Sequence, residues 1–272
     1  MTQPGLIAPV SAKLAALLPH VVAIARQAGA AIMPYFRGAY ATAHKDDRSP
    51  VTDADHAADA VIKPVLAALL PGVAVVTEES VASAPTPESL ATLRYWLVDP
   101  LDGTKDFVAH REEFTVNIAL VEGAAPVLGV LHLPAQNITY AAAGAGTAVK
   151  IAGEGAPRPI AARAQPAAGI VVAHSRSHNS RPDLEDYLAP FHVVERLVTG
   201  SALKFGLIAE GRADLYPRFG PTSEWDTAAG QAILEAAGGS VTDHAGNTLA
   251  YGKPRFRNPP CIARGRTAGA RP

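Results

Sequence analysis

The sequence is poor in cysteine and in charge. Its 272 residues include a single cysteine, Cys261, which excludes an internal disulfide and a cysteine-based zinc site. We interpret Cys261 as a small apolar residue near the end of a terminal strand.

Charged residues make up 18% of the chain, below the roughly 25% of typical soluble domains. The 24 Lys and Arg nearly balance the 25 Asp and Glu, for a net charge of −1. This balance argues against a nucleic-acid polymer as the partner.

Long apolar runs are also lacking. No stretch approaches the about 20 consecutive apolar residues that a membrane span needs. Residues 1–10 lack the basic start and the apolar stretch of a signal peptide. We therefore predict a cytoplasmic protein without a transmembrane segment, and peripheral association with the inner membrane face stays open. With 48% hydrophobic residues, a chain of this length buries a sizeable core without disulfides.

Apolar periodicity divides the chain into two halves. In the first half, residues 1–150, it predicts a helix over 20–36 and a second helix capped by Thr52 or Asp53. Strands follow, and the last three, at 114–121, 126–133 and 138–143, have short connections typical of an antiparallel meander. The second half, residues 151–263, alternates strands with helices, the last helix over 225–237, which indicates an α/β arrangement. We expect the tail 264–272 to be disordered. The fold class is thus α+β.

The most informative stretch is the string WLVDPLDGT. Asp99 lies at the end of an apolar strand, and the turn ending at Gly103 brings Asp102 back beside Asp99. Together with the Leu101 carbonyl, these two carboxylates form a set of hard oxygen ligands that suits Mg²⁺ better than zinc. Thr104 adds a hydroxyl. A bare D-x-x-D is commonly a solvated turn, but the whole string is far more specific.

Three further acidic elements are ordinary when each is taken alone. Glu78 and Glu79 follow a short predicted strand, and adjacent glutamates are common on solvated surfaces. Asp55 lies at the start of the second helix, where an acid often does no more than complement the helix dipole. Asp226 stands at the start of the last long helix. The small residues after it would let this helix start approach another group closely. That helix start also offers N–H donors to a phosphate.

In chain order, the motifs VTDAD, EES, WLVDPLDGT and WDTAAG resemble those of the lithium-sensitive, Mg²⁺-dependent phosphomonoesterase superfamily, which includes the inositol monophosphatases. The resemblance covers nearly the whole chain. It implies a layered αβαβα sandwich of the sugar-phosphatase type and two or three Mg²⁺ ions. The implied metal ligands are Glu78, Asp99, the Leu101 carbonyl, Asp102 and Asp226, with Asp55 on a further, weaker ion. The implied catalytic set is Thr104, Glu78, Asp55 and Glu79, in which Thr104 positions the attacking water.

Strings in both halves are similar to one branch, the CysQ-type 3′(2′),5′-bisphosphate nucleotidases. They are DPLDGTKDF, SRSH, GSALKF and DLYPRFGP. This branch removes the 3′-phosphate from 3′-phosphoadenosine 5′-phosphate (PAP), a small nucleotide, and leaves AMP. The resemblance implies nucleotide contacts at His178, Ser201, Lys204 and Arg218.

A substrate with two phosphates needs metals at one phosphate and cations at the other, which adds Arg176 to the candidates. The remaining substrate-binding candidates are Lys45, Gly103 and Asp226. Solvated positions for His178 and Lys204 stay open as the alternative.

We expect hydrolysis by a metal-activated water without a covalent enzyme intermediate. One Mg²⁺ is expected at Glu78, and a second, near Asp99, Asp102 and Asp226, stabilises the leaving 3′-oxygen. No G-x-S-x-G motif offers a competing nucleophile. Two other functions remain open: an inositol or sugar monophosphatase with the same metal residues, and a non-catalytic nucleotide sensor. The sequence leaves both a monomer and a homodimer open.

Overall fold

The computed structural model describes residues 12–38, 42–44, 50–90, 93–176 and 181–266. In these ranges the helices are α1 (Ala12–Arg37), α2 (Asp53–Leu69), α3 (Pro87–Leu90), α4 (Thr104–Val108), α5 (Arg181–Leu188), α6 (Leu203–Ala209) and α7 (Ala228–Ala236). Short 3₁₀ turns occupy Glu78–Ser83, Glu224–Asp226 and Pro254–Phe256. The strands are β1 (Thr42–His44), β2 (Pro50–Thr52), β3 (Ala74–Thr77), β4 (Arg94–Asp102), β5 (Thr115–Glu122), β6 (Ala125–Leu133), β7 (Ile138–Ala142), β8 (Val149–Ala152), β9 (Arg158–Pro159), β10 (Ile170–His174), β11 (Val193–Val198), β12 (Leu215–Arg218), β13 (Thr222–Ser223), β14 (Ser240–Asp243), β15 (Arg257–Asn258) and β16 (Cys261–Arg264).

Two large sheets carry the architecture. The first has the order β3-β4-β5-β6-β7-β8-β9, and the second has the order β11-β10-β12-β16-β14. In the first sheet β3 is parallel to β4, whereas β5, β6 and β7 form an antiparallel meander. The predicted meander is therefore confirmed. In the second sheet β10 is parallel to both β11 and β12, and β16 is antiparallel to its neighbours.

Alternating side chains show how the layers stack. On β4, Trp96 and Val98 join the cluster formed with α1 and α2, while Tyr95 and Leu97 join the cluster on the opposite face, with α6 and α7. Side chains on a strand point alternately to the two faces of its sheet, so β4 is covered by helices on both sides.

The second sheet repeats this pattern. Val171 of β10 packs toward α7, whereas Val172 packs with Leu184 and Leu188 of α5. Helices and sheets therefore alternate in five layers: α1 and α2, the first sheet, α6 and α7, the second sheet, and α5. This is the αβαβα sandwich that the sequence implied.

The central helix layer requires two glycines for close packing. A Cβ at Gly129 of β6 would overlap the carbonyl oxygen of Ala229 on α7. A Cβ at Gly230 of α7 would overlap the ring of Phe205 on α6. These contacts let α7 lie directly between the two sheets. The 3₁₀ turn just before α7 is thereby held against β4 and β5.

Two predicted helices need correction at their starts. Helix α1 begins at Ala12 rather than residue 20 and contains Pro19, because Leu14, Leu17 and Leu18 pack against the α1–α2 cluster and offset the unfavourable proline. The last helix does not begin at Trp225, since residues 224–226 form a 3₁₀ turn before α7. The cap of α2 is Thr52, whose hydroxyl accepts the Ala54 N–H.

Two predicted boundaries also move. The division between residues 150 and 151 falls inside β8, which pairs with β7 and with β9, so the first sheet continues to Pro159. The tail does not begin at residue 264, because Arg264 pairs in β16 and its guanidinium donates to Thr242 Oγ1 at 3.3 Å. Residues 267–272 lie outside the described ranges.

Within the described ranges, α1 is the one helix that is long and apolar enough to cross a membrane. Its residues Val21, Ala25, Ala28 and Ile32 are fully buried under the first sheet. Core helices pass the same test of length and composition as membrane spans. The packing of α1 fits a core helix.

The burial of α7 predicts a clear difference between two identical substitutions. Leu234 on α7 is 0% exposed, whereas Leu93 is 54% exposed. We expect Leu234→Ala to lower the free energy of unfolding by about 2–5 kcal/mol, since it removes buried methyl groups and leaves a cavity. The matched control Leu93→Ala should change it by less than about 0.5 kcal/mol. Urea unfolding measures both, and equal values would contradict the central position of α7.

Candidate active site

Three carboxylates meet where β4 ends. Asp99 and Asp102 lie on β4, and Asp226 comes from the 3₁₀ turn before α7. Each offers an oxygen atom, and these atoms all lie within 4.8 Å of one another. The pairing of β4 with β5 is irregular between Asp99 and Asp102, and Gly103 follows with a φ of +91°. This break in the strand lets both aspartates reach the same site, as the spacing predicted.

The Leu101 peptide completes this local arrangement. Its N–H donates to Asp99 Oδ1 at 3.0 Å, and its carbonyl oxygen accepts the Thr104 hydroxyl at 3.3 Å. The carbonyl and three carboxylates form an all-oxygen donor set, which is the set that Mg²⁺ prefers. The residues present therefore fit a magnesium site.

The electrostatics of the cluster favour a bound cation. Burial raises the pKa of Asp226 to about 8, and the charges of Asp102 and Glu78 add to this effect. Burial also raises the pKa of Asp99 well above its ordinary value, helped by Glu78, Asp102, Asp226 and Asp55. The charges of the neighbouring carboxylates thus make ionisation of Asp99 and Asp226 harder. A divalent cation would remove this repulsion.

The other predicted acidic residues lie at different distances from the centre. Glu78 begins the 3₁₀ turn after β3 and lines the same cavity as Asp99. Asp55 is buried, and its Oδ2 accepts both the N–H and the hydroxyl of Thr52, each at 2.7 Å. Asp55 still contributes to the raised pKa of Asp99. Glu79 is the next residue of the 3₁₀ turn and is absent from the cavity lining.

Asp226 is held by a buried polar network. Its Oδ2 accepts the Ser223 N–H at 2.8 Å. The neighbouring Glu224 is 0% exposed, and its carboxylate accepts the N–H groups of Gly252 and Lys253 at 2.9 and 2.8 Å. Asn258 donates to the Ser223 carbonyl at 2.8 Å. These bonds fix the turn that carries Asp226.

Asp102 is held by a turn about a hundred residues away in sequence. The Ala202 N–H donates to Asp102 Oδ2 at 2.6 Å, and the Ser201 hydroxyl donates to the same oxygen at 2.9 Å. Ser201 has a φ of +54°, a conformation that non-glycine residues adopt rarely. Ser201 and Gly103 also line the cavity. The turn therefore both shapes the site and orients one of its carboxylates.

A cavity of about 460 Å³ opens beside the carboxylates, and part of its wall is cationic. Lys204 and Arg218, the expected nucleotide contacts, line it, and both are buried. Lys204 is not on a solvated helix face: its ammonium donates to the carbonyls of Thr199 and Ser201, and burial lowers its pKa to about 8. Arg218 donates to the Pro221 carbonyl at 3.0 Å, and its buried Nε has no hydrogen-bond partner among the described residues. An unsatisfied buried guanidinium nitrogen fits an anion-binding wall.

Arg176 does not fit the nucleotide contact expected of it. Its guanidinium donates to Asp106 at 2.8 Å and to Glu113 at 2.9 and 3.4 Å. Its charge is compensated by these carboxylates, and it is absent from the cavity lining. Lys45 and His178, also expected at the substrate, lie outside the described residues.

The cavity contains residues that sequence reasoning missed. Arg257 lines it and donates to Ser223 Oγ at 3.3 Å, and Tyr216, Trp225 and Cys261 contribute to its wall. Cys261 is buried, as expected of a small apolar residue, but it lies at the start of β16 rather than near a strand end. Arg257 lies on β15, and no local motif marks it. Only the pairing of β13 with β15 brings it near Asp226.

Comparisons with known proteins point to one family. The model of the inositol monophosphatase family matches residues 13–269. The 3′(2′),5′-bisphosphate nucleotidase CysQ of Salmonella typhimurium is 48% identical over 248 residues, covering 89% of this chain and 97% of that protein.

Solved structures of the same family are similar to this chain as well. The crystal structure of CysQ from Bacteroides thetaiotaomicron, a member of the inositol monophosphatase family, matches with a TM-score of 0.77 and 35% identity, covering 89% of this chain and 94% of the other. An inositol monophosphatase from Anabaena matches with a TM-score of 0.73 and 24% identity, covering 94% and 92% of the two chains. This last likeness shows the fold alone.

The crowded carboxylates predict an unusual effect of Asp226→Asn on the metal-free protein. The pKa of Asp226 is about 8 in the folded protein, above its ordinary value of 3.8. The folded state therefore binds more protons than the unfolded state between these values, and metal-free stability falls as pH rises through this window. Asparagine stays neutral. In EDTA at pH 8.5 the variant should melt higher than the parent, by about 2–4 °C for each kcal/mol of relieved repulsion.

At pH 5 this difference should nearly vanish, because Asp226 is then protonated in the parent. Added Mg²⁺ should raise the Tm of the parent more than that of the variant. Asp186→Asn, at an exposed position of α5, serves as the control and should leave the Tm unchanged. A variant that melts lower than the parent in EDTA at pH 8.5 would contradict this account.

Proposed function

Since this chain belongs to the inositol monophosphatase family, we propose that it is a Mg²⁺-dependent phosphomonoesterase that hydrolyses the 3′-phosphate of PAP to give AMP and phosphate. One observation carries this proposal: a cluster of carboxylates within 4.8 Å of one another faces a cavity that Lys204 and Arg218 also line. This arrangement matches a small substrate with two phosphate groups, one at the metal side and one at the cationic side. Similarity to CysQ supports the same substrate.

The carboxylates supply the metal side of the reaction. Asp99, Asp102 and Asp226, together with Glu78 and the Leu101 carbonyl, would hold two Mg²⁺ ions, and Asp55 would serve a further, weaker one. Mg²⁺ in such a site lowers the pKa of a coordinated water and neutralises the charge of the reacting phosphate.

The protein itself provides positioning. The Thr104 hydroxyl lies at the first turn of α4 and lines the cavity, where it would orient the attacking water for in-line displacement. Glu78 and Glu79 begin the 3₁₀ turn after β3, and we keep both as proposed catalytic residues. Asp226 is held by the Ser223 N–H, and we keep it as a proposed substrate contact in addition to its role at the metals. No side chain becomes covalently attached, because hydrolysis needs only orientation and charge neutralisation.

The cationic side selects the substrate. Lys204 and Arg218 bind the 5′-phosphate, and Ser201 and Gly103 contact the nucleotide between the two phosphates. An arginine with an unsatisfied Nε gains strong, charge-assisted hydrogen bonds from a phosphate. We keep His178 and Lys45 as proposed nucleotide contacts from the sequence. We also propose that the chain works in the cytoplasm.

A substrate panel tests this function directly. We expect Mg²⁺-dependent release of phosphate from PAP, with a kcat/KM at least about tenfold above that for inositol 1-phosphate, since each lost charged contact costs about 1.5–3 kcal/mol. Li⁺ should inhibit the reaction. Phosphate release is measured in initial-rate assays with and without each ion. A preference for inositol 1-phosphate would favour the inositol phosphatase alternative, and nucleotide binding without hydrolysis would favour a sensor.

Asp102→Asn tests the metal site. The substitution keeps the shape of the side chain but removes a charge at the centre of the cluster, so kcat should fall by roughly 10²-fold or more. Asp186→Asn on the exposed face of α5 is the matched control and should retain full activity. Near-normal turnover by the Asp102 variant at saturating Mg²⁺ would refute the assignment.

A further inference from the structure

Arg176 sits at the centre of an ion network beside the catalytic cavity. Its Nη1 donates to Asp106 Oδ1 at 2.8 Å and to Glu113 Oε2 at 2.9 Å, and its Nη2 donates to Glu113 Oε1 at 3.4 Å. Asp106 also accepts from Arg111 at 3.0 Å. Arg176 follows β10 of the second sheet, whereas both carboxylates lie between β4 and β5 of the first. The network thus joins the two sheets at the edge of the site.

Glu113 links this network to the turn that holds Asp102. The Gly200 N–H donates to Glu113 Oε2, the same oxygen that accepts from Arg176, at 3.2 Å. A side chain at Gly200 would overlap the Asp106 carboxylate, so the turn lies directly against both acids. The two residues after Gly200 then donate to Asp102 Oδ2.

The turn needs such support because its conformation is unfavourable. Ser201 has a φ of +54°, in the left-handed region that non-glycine residues rarely adopt. Its position is maintained by bonds from outside the turn, of which the Glu113–Gly200 bond is the one on the side facing Arg176. Without Arg176, Glu113 and Asp106 face each other with less compensation, and Glu113 is free to move away from Gly200.

We propose that Arg176 is a positioning residue for the metal site, acting through Glu113 and the Gly200–Ala202 turn on the metal carboxylate Asp102. This role requires no contact with the nucleotide. This inference rests on the proposed function for the identity of the metal site, but its test separates the two. It also assigns a role to Glu113.

The deciding experiment compares two substrates and two kinds of readout. Arg176→Met is assayed with PAP and with adenosine 3′-phosphate, which keeps the reacting phosphate but lacks the 5′-phosphate. We expect the Mg²⁺ concentration for half-maximal activity to rise about tenfold, as is typical when a partner of a metal ligand is lost. The ratio of kcat/KM for the two substrates should stay as in the parent. A calorimetric Mg²⁺ titration without nucleotide should show the same loss of affinity.

Two further variants sharpen the test. Arg196→Met removes an arginine that pairs with Glu185 at 2.5 and 2.8 Å far from the cavity, and it should change neither the Mg²⁺ affinity nor the substrate ratio. Glu113→Gln should weaken Mg²⁺ binding in the same way as Arg176→Met. The double variant should be no worse than the stronger single variant, because both act through one link. If Arg176→Met fails to fold, Arg176→Lys and Glu113→Gln decide the matter.

Two results would overturn the proposal. A selective loss of activity toward PAP, with Mg²⁺ affinity unchanged, would make Arg176 a contact of the 5′-phosphate instead. Parent-like Mg²⁺ affinity in both Arg176→Met and Glu113→Gln would show that the contacts of Arg176 and Glu113 with the turn do not position Asp102. A parent protein that binds Mg²⁺ but leaves PAP intact would refute the proposed function, while the titration would still decide the role of Arg176.

Discussion

Repulsion among crowded carboxylates is the constraint on which the rest of the structure depends. Three aspartates converge within 4.8 Å, and burial together with this crowding raises the pKa of Asp99 and of Asp226. Such a cluster opposes folding in the absence of a cation, so the surrounding fold has to impose it. The layered core does so, because β4 is packed by helices on both faces and cannot shift to relax its charged end.

The same local solution recurs at each of the three aspartates. Asp99 accepts the N–H of Leu101 at 3.0 Å, Asp102 that of Ala202 at 2.6 Å, and Asp226 that of Ser223 at 2.8 Å. A main-chain N–H stabilises a carboxylate and fixes its direction without adding a competing charge. Since the main chain is anchored by the layers, the fold itself sets the orientation of the three carboxylates. This preorganisation is what positioning catalysis requires.

The sequence predicted those parts of the site that depend on local spacing. Asp99, Asp102 and Thr104 lie within one strand-end turn, so the string that contains them is enough to bring them together. Asp226 could be added only through the resemblance to a family, because its approach to β4 is a tertiary contact. The support of Asp102 by Ala202 was out of reach, since it joins residues a hundred positions apart. Helix α1 was predicted too short because the penalty for Pro19 is local, whereas the packing that outweighs it is not.

The two arginines near the site show why residue type alone does not determine a role. Arg176 is surrounded by Asp106 and Glu113, so its charge is already compensated within the protein. Arg218 is 8% exposed, one of its bonds goes to a neutral carbonyl, and its Nε has no partner among the described residues. The charge of Arg218 acts on Asp226 in the same cavity, and its Nε leaves a donor for an anion there. The net charge of −1 gives no sign of this difference between the two arginines. Arg218 therefore offers the cavity a hydrogen-bond donor for an anion, which Arg176 does not.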